Sequence, residues 1–222
     1  MLNIFIGWDH REVAAWHTLA HSIIIKASEP VNLIPVRQET LRQCGLYWRE
    51  KDHLASTDFS LTRFLVPFLS KYDGYSVFLD CDILCQVDIA ELFAIGYRDP
   101  SKAVWVVKHD YTPRTTVKMD GQQQTAYPRK NWSSVMVFNN AACRMLTPQH
   151  VRQATPAHLH RFDWLRDEAI GSLPATWNWL VGEYDTNPNA KLLHYTLGGP
   201  WFNTYTSTPE TDRWVDTWRS MS

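Results

Sequence analysis

Residues 75–84 read YSVFLDCDIL, an apolar run interrupted by Asp80 and Asp82. Such a run is typical of a strand buried inside a sheet. Side chains at i and i+2 of a strand point to the same side, so we expect two neighbouring carboxylates at the end of a central strand. Two carboxylates in this place would repel each other and lose hydration, which a divalent cation such as Mg²⁺ or Mn²⁺ would relieve. The alternative is a solvated strand end that carries two aspartates by chance.

The beginning of the chain predicts a β–α–β unit. Residues 2–7 (LNIFIG) and 31–36 (VNLIPV) have the pattern of short buried strands. Between them, Asp9 and Glu12 have the spacing of a capping box that opens a helix. Units of this kind build parallel sheets, and in open α/β sheets ligands bind outside the carboxyl ends of the strands. The aspartate pair is expected at that edge.

Further elements follow along the chain. Residues 58–70 predict a helix that Pro67 kinks or ends early. Strands are predicted at residues 103–108, 133–138 and 192–196, and a final helix is predicted to open at Thr208 and Pro209. The polar segment 110–130 is predicted to be a mobile lid or acceptor loop. The sequence therefore predicts a single α/β domain over residues 1–222 with a mostly parallel central sheet.

The composition excludes several classes of protein. Among 222 residues, 45% are apolar and 20% are charged, as in ordinary globular proteins. Lys and Arg total 22 against 23 Asp and Glu, so no basic surplus exists for nucleic acid. Tryptophan is abundant at 11 residues, which indicates either a large core or a face that stacks on sugar-like ligands.

The cysteines and the apolar runs bear on the compartment. Cys44, Cys81, Cys85 and Cys143 are scattered, with neither a short disulfide framework nor paired zinc-binding spacing. We expect all four to be reduced core thiols of a cytosolic protein. No apolar run reaches the ~18–20 residues of a membrane span, and the start of the chain does not read as a signal peptide. A cytoplasmic protein with at most peripheral membrane contact is predicted.

Three further residue groups are candidates for a ligand site. His194 could supply a third metal ligand, although a lone histidine at a strand end is more often structural. Gly198 and Gly199 could let the backbone approach a ligand closely, or simply form a turn. Arg63, on the helix predicted before the aspartate strand, suits phosphate through its planar fork, and the alternative is a surface salt bridge.

Taken together, these motifs resemble those of glycosyltransferase family 8, whose members have the GT-A fold. The similarity runs along most of the chain. The matching segments are IFIGWD (4–9), TRF (62–64) with Pro67, VFLDCDILC (77–85), SSVMVFN (133–139), DE (167–168), LP (173–174) with WN (177–178), and HYTLGGPW (194–201). The resemblance implies a Rossmann-like GT-A domain whose central sheet is flanked by helices.

The resemblance also implies an activity and a set of site residues. The family transfers a sugar from a nucleotide-sugar donor, here expected to be UDP-linked, to a carbohydrate or glycolipid acceptor with retention of configuration. Bacterial members often serve surface polysaccharide biosynthesis. The implied metal ligands, for Mn²⁺ or Mg²⁺, are Asp80, Asp82 and His194. Residues implied to bind the donor are Gly7, Trp8 and Asp9 near the base, Arg63 near the phosphates or the donor sugar, and Ser133 near the donor sugar. Asp80, Gly198 and Gly199 are also implied to be donor-binding residues. The catalytic candidates are Asp167 and Glu168, as a nucleophile or a stabiliser of oxocarbenium charge.

The chain departs from the family pattern at several positions. Gly199 occupies the place of a lysine that normally precedes Pro-Trp and contacts the donor phosphate. Trp132, Ser134 and Glu168 replace the usual Asn, Gly and Gln. The sequence thus predicts a divergent branch.

Two other functions stay open on the sequence. A phosphohydrolase of the haloacid-dehalogenase type would use Asp80 as nucleophile and Asp82 as acid/base, but that class usually carries this motif on its first strand. A carbohydrate-binding protein without catalysis would use the many tryptophans.

Overall fold

The structure is a computed structural model, and it describes residues 1–50, 57–114, 128–205 and 207–221, together with the backbone of residues 117–118 and 122–123. Its centre is a six-stranded sheet in the order β2-β1-β3-β8-β5-β9. The strands are β1 (Leu2–Gly7), β2 (Val31–Val36), β3 (Tyr75–Leu79), β5 (Val104–Val106), β8 (Val135–Asn139) and β9 (Ile170–Ser172). Only β8 runs antiparallel to its neighbours in this sheet. The predicted mostly parallel α/β fold is therefore confirmed.

Two smaller sheets complete the strand inventory of the described residues. β4 (Ile83–Cys85), β10 (Trp179–Leu180) and β11 (Leu192–His194) form a three-stranded sheet, and β6 (Val117–Lys118) pairs with β7 (Gln122–Gln123). The pairing of β6 with β7 is antiparallel. The rest of the lid predicted at residues 110–130 lies largely outside the described residues.

Helices flank the sheets. They are α1 (Val13–Ile24), α2 (Gln38–Gln43), α3 (Val66–Leu69), α4 (Ala90–Tyr97), α5 (Pro148–Gln153), α6 (Pro156–His160) and α7 (Thr211–Arg219). α1 packs against β4 and α7, while α4 packs against β3 and β8. None of the helices in the described part of the chain combines the length and the apolar character that a membrane crossing requires.

The topology places a ligand crevice beside β1. From β1 the chain crosses through α1 to β2 on one side, and the next strand of the sheet, β3, lies on the other side of β1. This reversal is a topological switch point, and ligands of open α/β sheets bind outside the carboxyl ends of the strands there. Gly7 ends β1 and Leu79 ends β3, so residues 8–9 and 80–82 rim the crevice.

The strand predicted over residues 75–84 is in fact two strands. β3 ends at Leu79, and β4 starts at Ile83 and belongs to the second sheet. Asp80 and Asp82 therefore lie in the turn between the two strands, not within one strand. The strand is interrupted because residues 83–85 pair antiparallel with β11 in the second sheet, with Ile83 opposite His194. The break brings His194 next to the aspartate pair.

Several local predictions were wrong. Asp9 does not cap α1: its carboxylate accepts hydrogen bonds from the Arg11 and Asp58 backbone N–H groups, and α1 starts at Val13 after Glu12. The helix predicted over residues 58–70 is a 3-10 turn, Thr62–Leu65, followed by the short α3, in which Pro67 occupies the first turn.

The C-terminal helix and one cysteine also differ from the prediction. α7 follows Glu210, which has a left-handed backbone conformation, and Thr208 does not cap the helix. Three cysteines are buried as predicted, but Cys44 is exposed, because it follows the end of α2 at the surface.

Gly7 shows how closely the core approaches the crevice. A Cβ atom at this position would lie 2.4 Å from the ring of Phe59, which is 1% exposed. That ring in turn lies under the guanidinium of Arg63, with Cζ 5.0 to 5.2 Å from the centroids of Phe78 and Phe59. The absence of a side chain at residue 7 thus lets Phe59 support Arg63.

We expect Gly7→Ala to lower the free energy of unfolding by about 1–3 kcal/mol, the usual cost of overpacking. Urea unfolding followed by fluorescence measures this. In a Phe59→Leu background, where the ring is absent, the same substitution should cost clearly less. An equal cost in both backgrounds would contradict the packing explanation.

Candidate active site

Asp80, Asp82 and His194 come together at the switch point. One ligand atom from each residue lies within 4.8 Å of the others, and all three side chains are buried. His194 Nε2 is 3.3 Å from Asp82 Oδ1, and the Tyr195 backbone N–H donates to the Asp82 carbonyl at 2.9 Å. Two carboxylates and an imidazole fit a divalent cation such as Mn²⁺, because oxygen ligands suit hard ions and imidazole suits transition metals. The donor set therefore fits the metal that the sequence implies.

The orientation of His194 is fixed from behind by Asn178. His194 Nδ1 lies 2.8 Å from Asn178 Oδ1, while the Asn178 amide donates to the Asn131 carbonyl at 3.0 Å. Since the second bond assigns the amide NH₂ to Asn131, Oδ1 must accept from Nδ1–H. The Nε2 lone pair is then left on the side of Asp82, as a metal ligand requires. In the sequence, Asn178 stood out only as part of the Trp-Asn motif, with no sign of this role.

Arg63 is a buried partner of Asp80, not a surface cation. The side chain of Arg63 is 6% exposed and its Nη1 lies 2.8 Å from Asp80 Oδ1. The same nitrogen donates to the Ser133 carbonyl at 2.8 Å. The pKa of Asp80 is raised to about 6, mainly by burial. The charge of Arg63 opposes this shift, and the charge of Asp82 adds to it. Arg63 therefore helps to hold one carboxylate of the pair in its charged form.

Two histidines near the site, the buried His109 and the half-buried His160, were missed by the sequence analysis. His160 Nδ1 lies 2.8 Å from Ser133 Oγ, and its Nε2 lies 3.3 Å from Ser60 Oγ. His109 Nδ1 lies 2.8 Å from the Tyr184 hydroxyl. Burial lowers the pKa of each imidazole to about 3, with smaller contributions from Arg63 at His160 and from His194 at His109. Both rings are neutral at physiological pH, and Ser133 is held by one of them.

The residues implied to lie near the base form the other side of the crevice. Trp8 is half-buried and packs edge-on against Trp16, with ring centroids 5.5 Å apart. Asp9 is buried, and burial acts against ionisation, but hydrogen bonds and charge from Arg11 outweigh it and lower the pKa of Asp9. Asp9, His10 and Asp58 also form a close group, yet the Asp9 carboxylate is already bound by Arg11. This second group is explained as local structure.

The Gly-Gly turn after His194 has a packing reason. Gly198 has a φ of +115°, in the region that favours glycine. A Cβ atom on Gly199 would lie 2.1 Å from the ring of Trp201, which packs against Tyr195 and Trp214. A lysine at residue 199 would have to displace this tryptophan. The departure from the family pattern is thus tied to the position of Trp201.

Asp167 and Glu168 are placed differently from the metal group. Both are exposed in a 3-10 turn just before β9. β9 runs parallel to β5. The two residues therefore lie at the end of the sheet where β9 begins, which is opposite to the end where β3 leads into Asp80. Asp167 pairs with Arg129 at 2.6 Å, and the Glu168 carbonyl accepts from Lys102 Nζ at 2.8 Å. Within the described residues, the structure does not bring either carboxylate into the group of Asp80, Asp82 and His194.

Comparison with solved structures identifies the class of the fold. The chain superimposes on the bifunctional glycosyltransferase WbbM with a TM-score of 0.66 at 14% identity, over 98% of this chain and 49% of that one. For GlyE of Streptococcus pneumoniae the TM-score is 0.61 at 15% identity, over 99% and 61% of the chains. For the galactosyltransferase LgtC it is 0.56 at 13%, over 99% and 96%. The chain has the GT-A glycosyltransferase fold and spans about half of WbbM and under two thirds of GlyE.

Sequence comparison identifies the family. No protein-family model matches the chain. It is 47% identical to Protein CDI of Arabidopsis thaliana over 221 residues, which cover 96% of this chain and 85% of that protein. The chain therefore belongs to the family of Protein CDI.

We expect Asn178→Ala to weaken Mn²⁺ binding by roughly 10–100-fold, the usual cost of losing the group that orients a metal-bound histidine. Without Asn178 the imidazole is free to turn or to change tautomer. Isothermal titration with Mn²⁺ measures this, and Asn189→Ala, at an exposed asparagine, is the control. Equal affinities for the two variants would show that Asn178 does not orient the ligand.

A second prediction concerns acid stability. Because the folded protein keeps His160 neutral down to about pH 3, only the unfolded chain binds a proton there below about pH 6.5. The contribution of this neutral histidine is fully present above that pH and is lost as pH falls from about 6.5 toward 3. His160→Asn should flatten the fall of the unfolding free energy across this range, measured by urea unfolding. His17→Asn, at an exposed ring, should leave the slope unchanged; a slope unchanged in His160→Asn would refute the assignment.

Proposed function

We propose that residues 1–222 form one catalytic domain that transfers a sugar from a nucleotide-sugar, UDP-linked, to a carbohydrate or glycolipid acceptor with retention of configuration. The observation that carries the proposal is the group of Asp80, Asp82 and His194 at the switch point of a GT-A fold. Carboxylates and imidazole at this place suit a cation that binds a nucleoside diphosphate.

The ion would be Mn²⁺ or Mg²⁺, and when bound it would neutralise the charge that develops on the leaving diphosphate. Asp80, Asp82 and His194 would hold it. Asn178 keeps the His194 lone pair available, and Arg63 offsets the charge of Asp80. These contacts preorganise the ligands, so that little rearrangement is needed when the ion and the donor bind.

Other residues would bind the donor around this centre. Gly7 ends β1, and Trp8 and Asp9 follow it, on the side of the crevice where we assign the base. Ser133, fixed by His160, lies beside Arg63 and is assigned to the donor sugar. The turn of Gly198 and Gly199 is assigned to the diphosphate through its backbone. Asp167 and Glu168 are our candidates for carboxylates that act on the sugar, and they would do so from the far end of β9.

The test is a panel of nucleotide-sugars incubated with the protein and Mn²⁺, scored by release of the nucleoside diphosphate. We expect turnover with a UDP-sugar that chelation abolishes. Asp80→Ala, Asp82→Ala and His194→Ala should each reduce turnover at least ~10³-fold, because charge stabilisation in the transition state is the largest single contribution. Each variant should also lose the thermal stabilisation that Mn²⁺ and UDP give together.

The matched control is Asp73→Ala, at an exposed aspartate that precedes β3 and therefore lies at the opposite end of the strand from Asp80. It should keep normal turnover. Metal-dependent release of phosphate from a phosphomonoester by the wild-type protein, without transfer, would favour the phosphohydrolase instead. Sugar binding without nucleotide or metal dependence would favour a carbohydrate-binding protein.

A further inference from the structure

Glu12 has the least well satisfied carboxyl group near the crevice. The residue is 1% exposed, and neither carboxyl oxygen has a hydrogen-bond partner among the described residues. A buried acceptor without a partner costs about 1–3 kcal/mol, and more when it is charged. The buried carboxylates of Asp9 and Asp80 are bound by Arg11 and Arg63. For Glu12, the described residues supply no hydrogen bond that offsets the cost of burial. A group that is not part of the protein would satisfy it.

The position of Glu12 points to the crevice. It is the residue before α1, a helix of 12 residues that leaves the carboxyl end of β1 at the switch point. The charged groups that face its carboxyl are Asp82, Asp9 and Asp80, with Arg11 as the counter-charge. Glu12 therefore lies just beyond the end of β1, within electrostatic reach of the aspartate pair.

Glu12 is nevertheless separate from the predicted metal ligands. In the described part of the chain, neither of the two groups of possible metal ligands whose atoms lie within 4.8 Å of one another includes Glu12. Glu12 lies in the same short segment as Trp8 and Trp16, whose rings are in contact, and Asp82 is the charged group with the largest influence on its carboxyl. In a nucleotide the ribose connects the base with the diphosphate, and Glu12 is associated both with Trp8, which is assigned to the base, and with Asp82, which is assigned to the metal.

We propose that Glu12 binds the ribose of the donor nucleotide, accepting hydrogen bonds from its 2′- and 3′-hydroxyls. A carboxylate offers two acceptor oxygens side by side, and a vicinal diol offers two donors with matching spacing. The assignment rests on the proposed function and adds to it a residue that selects ribonucleotides over deoxyribonucleotides. A site built to bind a hydroxyl rejects the analogue that lacks it, because its polar groups are then left unpaired.

The test compares UDP with 2′-deoxy-UDP, each titrated with Mn²⁺ into wild-type protein, Glu12→Gln and Glu12→Ala. The wild type should bind UDP roughly tenfold more tightly than the deoxy analogue, as expected when the loss of one hydrogen bond leaves a buried carboxyl unpaired. In Glu12→Ala this ratio should fall close to one, and in Glu12→Gln it should be intermediate. Glu29→Gln, at an exposed glutamate, should keep the wild-type ratio.

Two further measurements separate the explanations. Thermal unfolding without ligand should show Glu12→Gln at least as stable as the wild type, because the substitution removes an unpaired buried carboxyl. Binding of Mn²⁺ alone should be unchanged in Glu12→Gln. A ratio of UDP to deoxy-UDP affinity that Glu12→Ala does not change, or a loss of Mn²⁺ binding without nucleotide, would overturn the assignment to ribose. Failure of the wild type to bind any nucleotide would instead refute the proposed function.

Discussion

The burial of two carboxylates in one turn is the constraint on which the rest of the site depends. Asp80 and Asp82 lie between β3 and β4, where water cannot solvate them fully and where each raises the free energy of the other. Arg63 from one side and His194 from the other reduce this cost. Both partners are held in turn, Arg63 between Phe59 and Phe78 and His194 by Asn178. Much of the packing near the crevice can be understood as support for these two side chains.

The same constraint explains what the sequence could and could not predict. Local pattern was sufficient for β1, α1 and β2, because their apolar periodicity agrees with the final packing. It failed at residues 75–84, because an apolar run does not show that its last residues pair with β11 in a second sheet. Residue type and resemblance were sufficient to predict Asp80, Asp82 and His194 as a group, and the structure brings these three together. Asn178, His160 and His109 were missed because only tertiary contacts over long sequence separations give them a role.

The structure also separates polar residues that stabilise the fold from those that burden it. Asp9 and Ser22 are buried, but Asp9 accepts several hydrogen bonds, and the Ser22 hydroxyl donates to the Leu19 carbonyl and accepts from the Cys85 N–H, so each supports its surroundings. Glu12 and the Nε2 atom of His109 have no hydrogen-bond partner among the described residues. Proteins retain such unsatisfied groups mainly at functional sites, where stability is sacrificed for binding. The carboxyl group of Glu12 is influenced by the charge of Asp82, and the imidazole of His109 by that of His194. Asp82 and His194 belong to the same group of candidate metal ligands.

The substitution of Gly199 for lysine changes how a diphosphate could be neutralised. The space that a side chain at residue 199 would need is filled by Trp201, which belongs to a second hydrophobic cluster with Trp214 on α7. A side chain at residue 199 is therefore incompatible with the position that Trp201 takes in this chain. Under the proposed function, with no cation from the turn, the charge of a diphosphate would have to be balanced by the metal ion and by groups on the sheet side of the crevice. Because Arg63 is already paired with Asp80, the ion would carry a larger share of this role than it would beside a lysine.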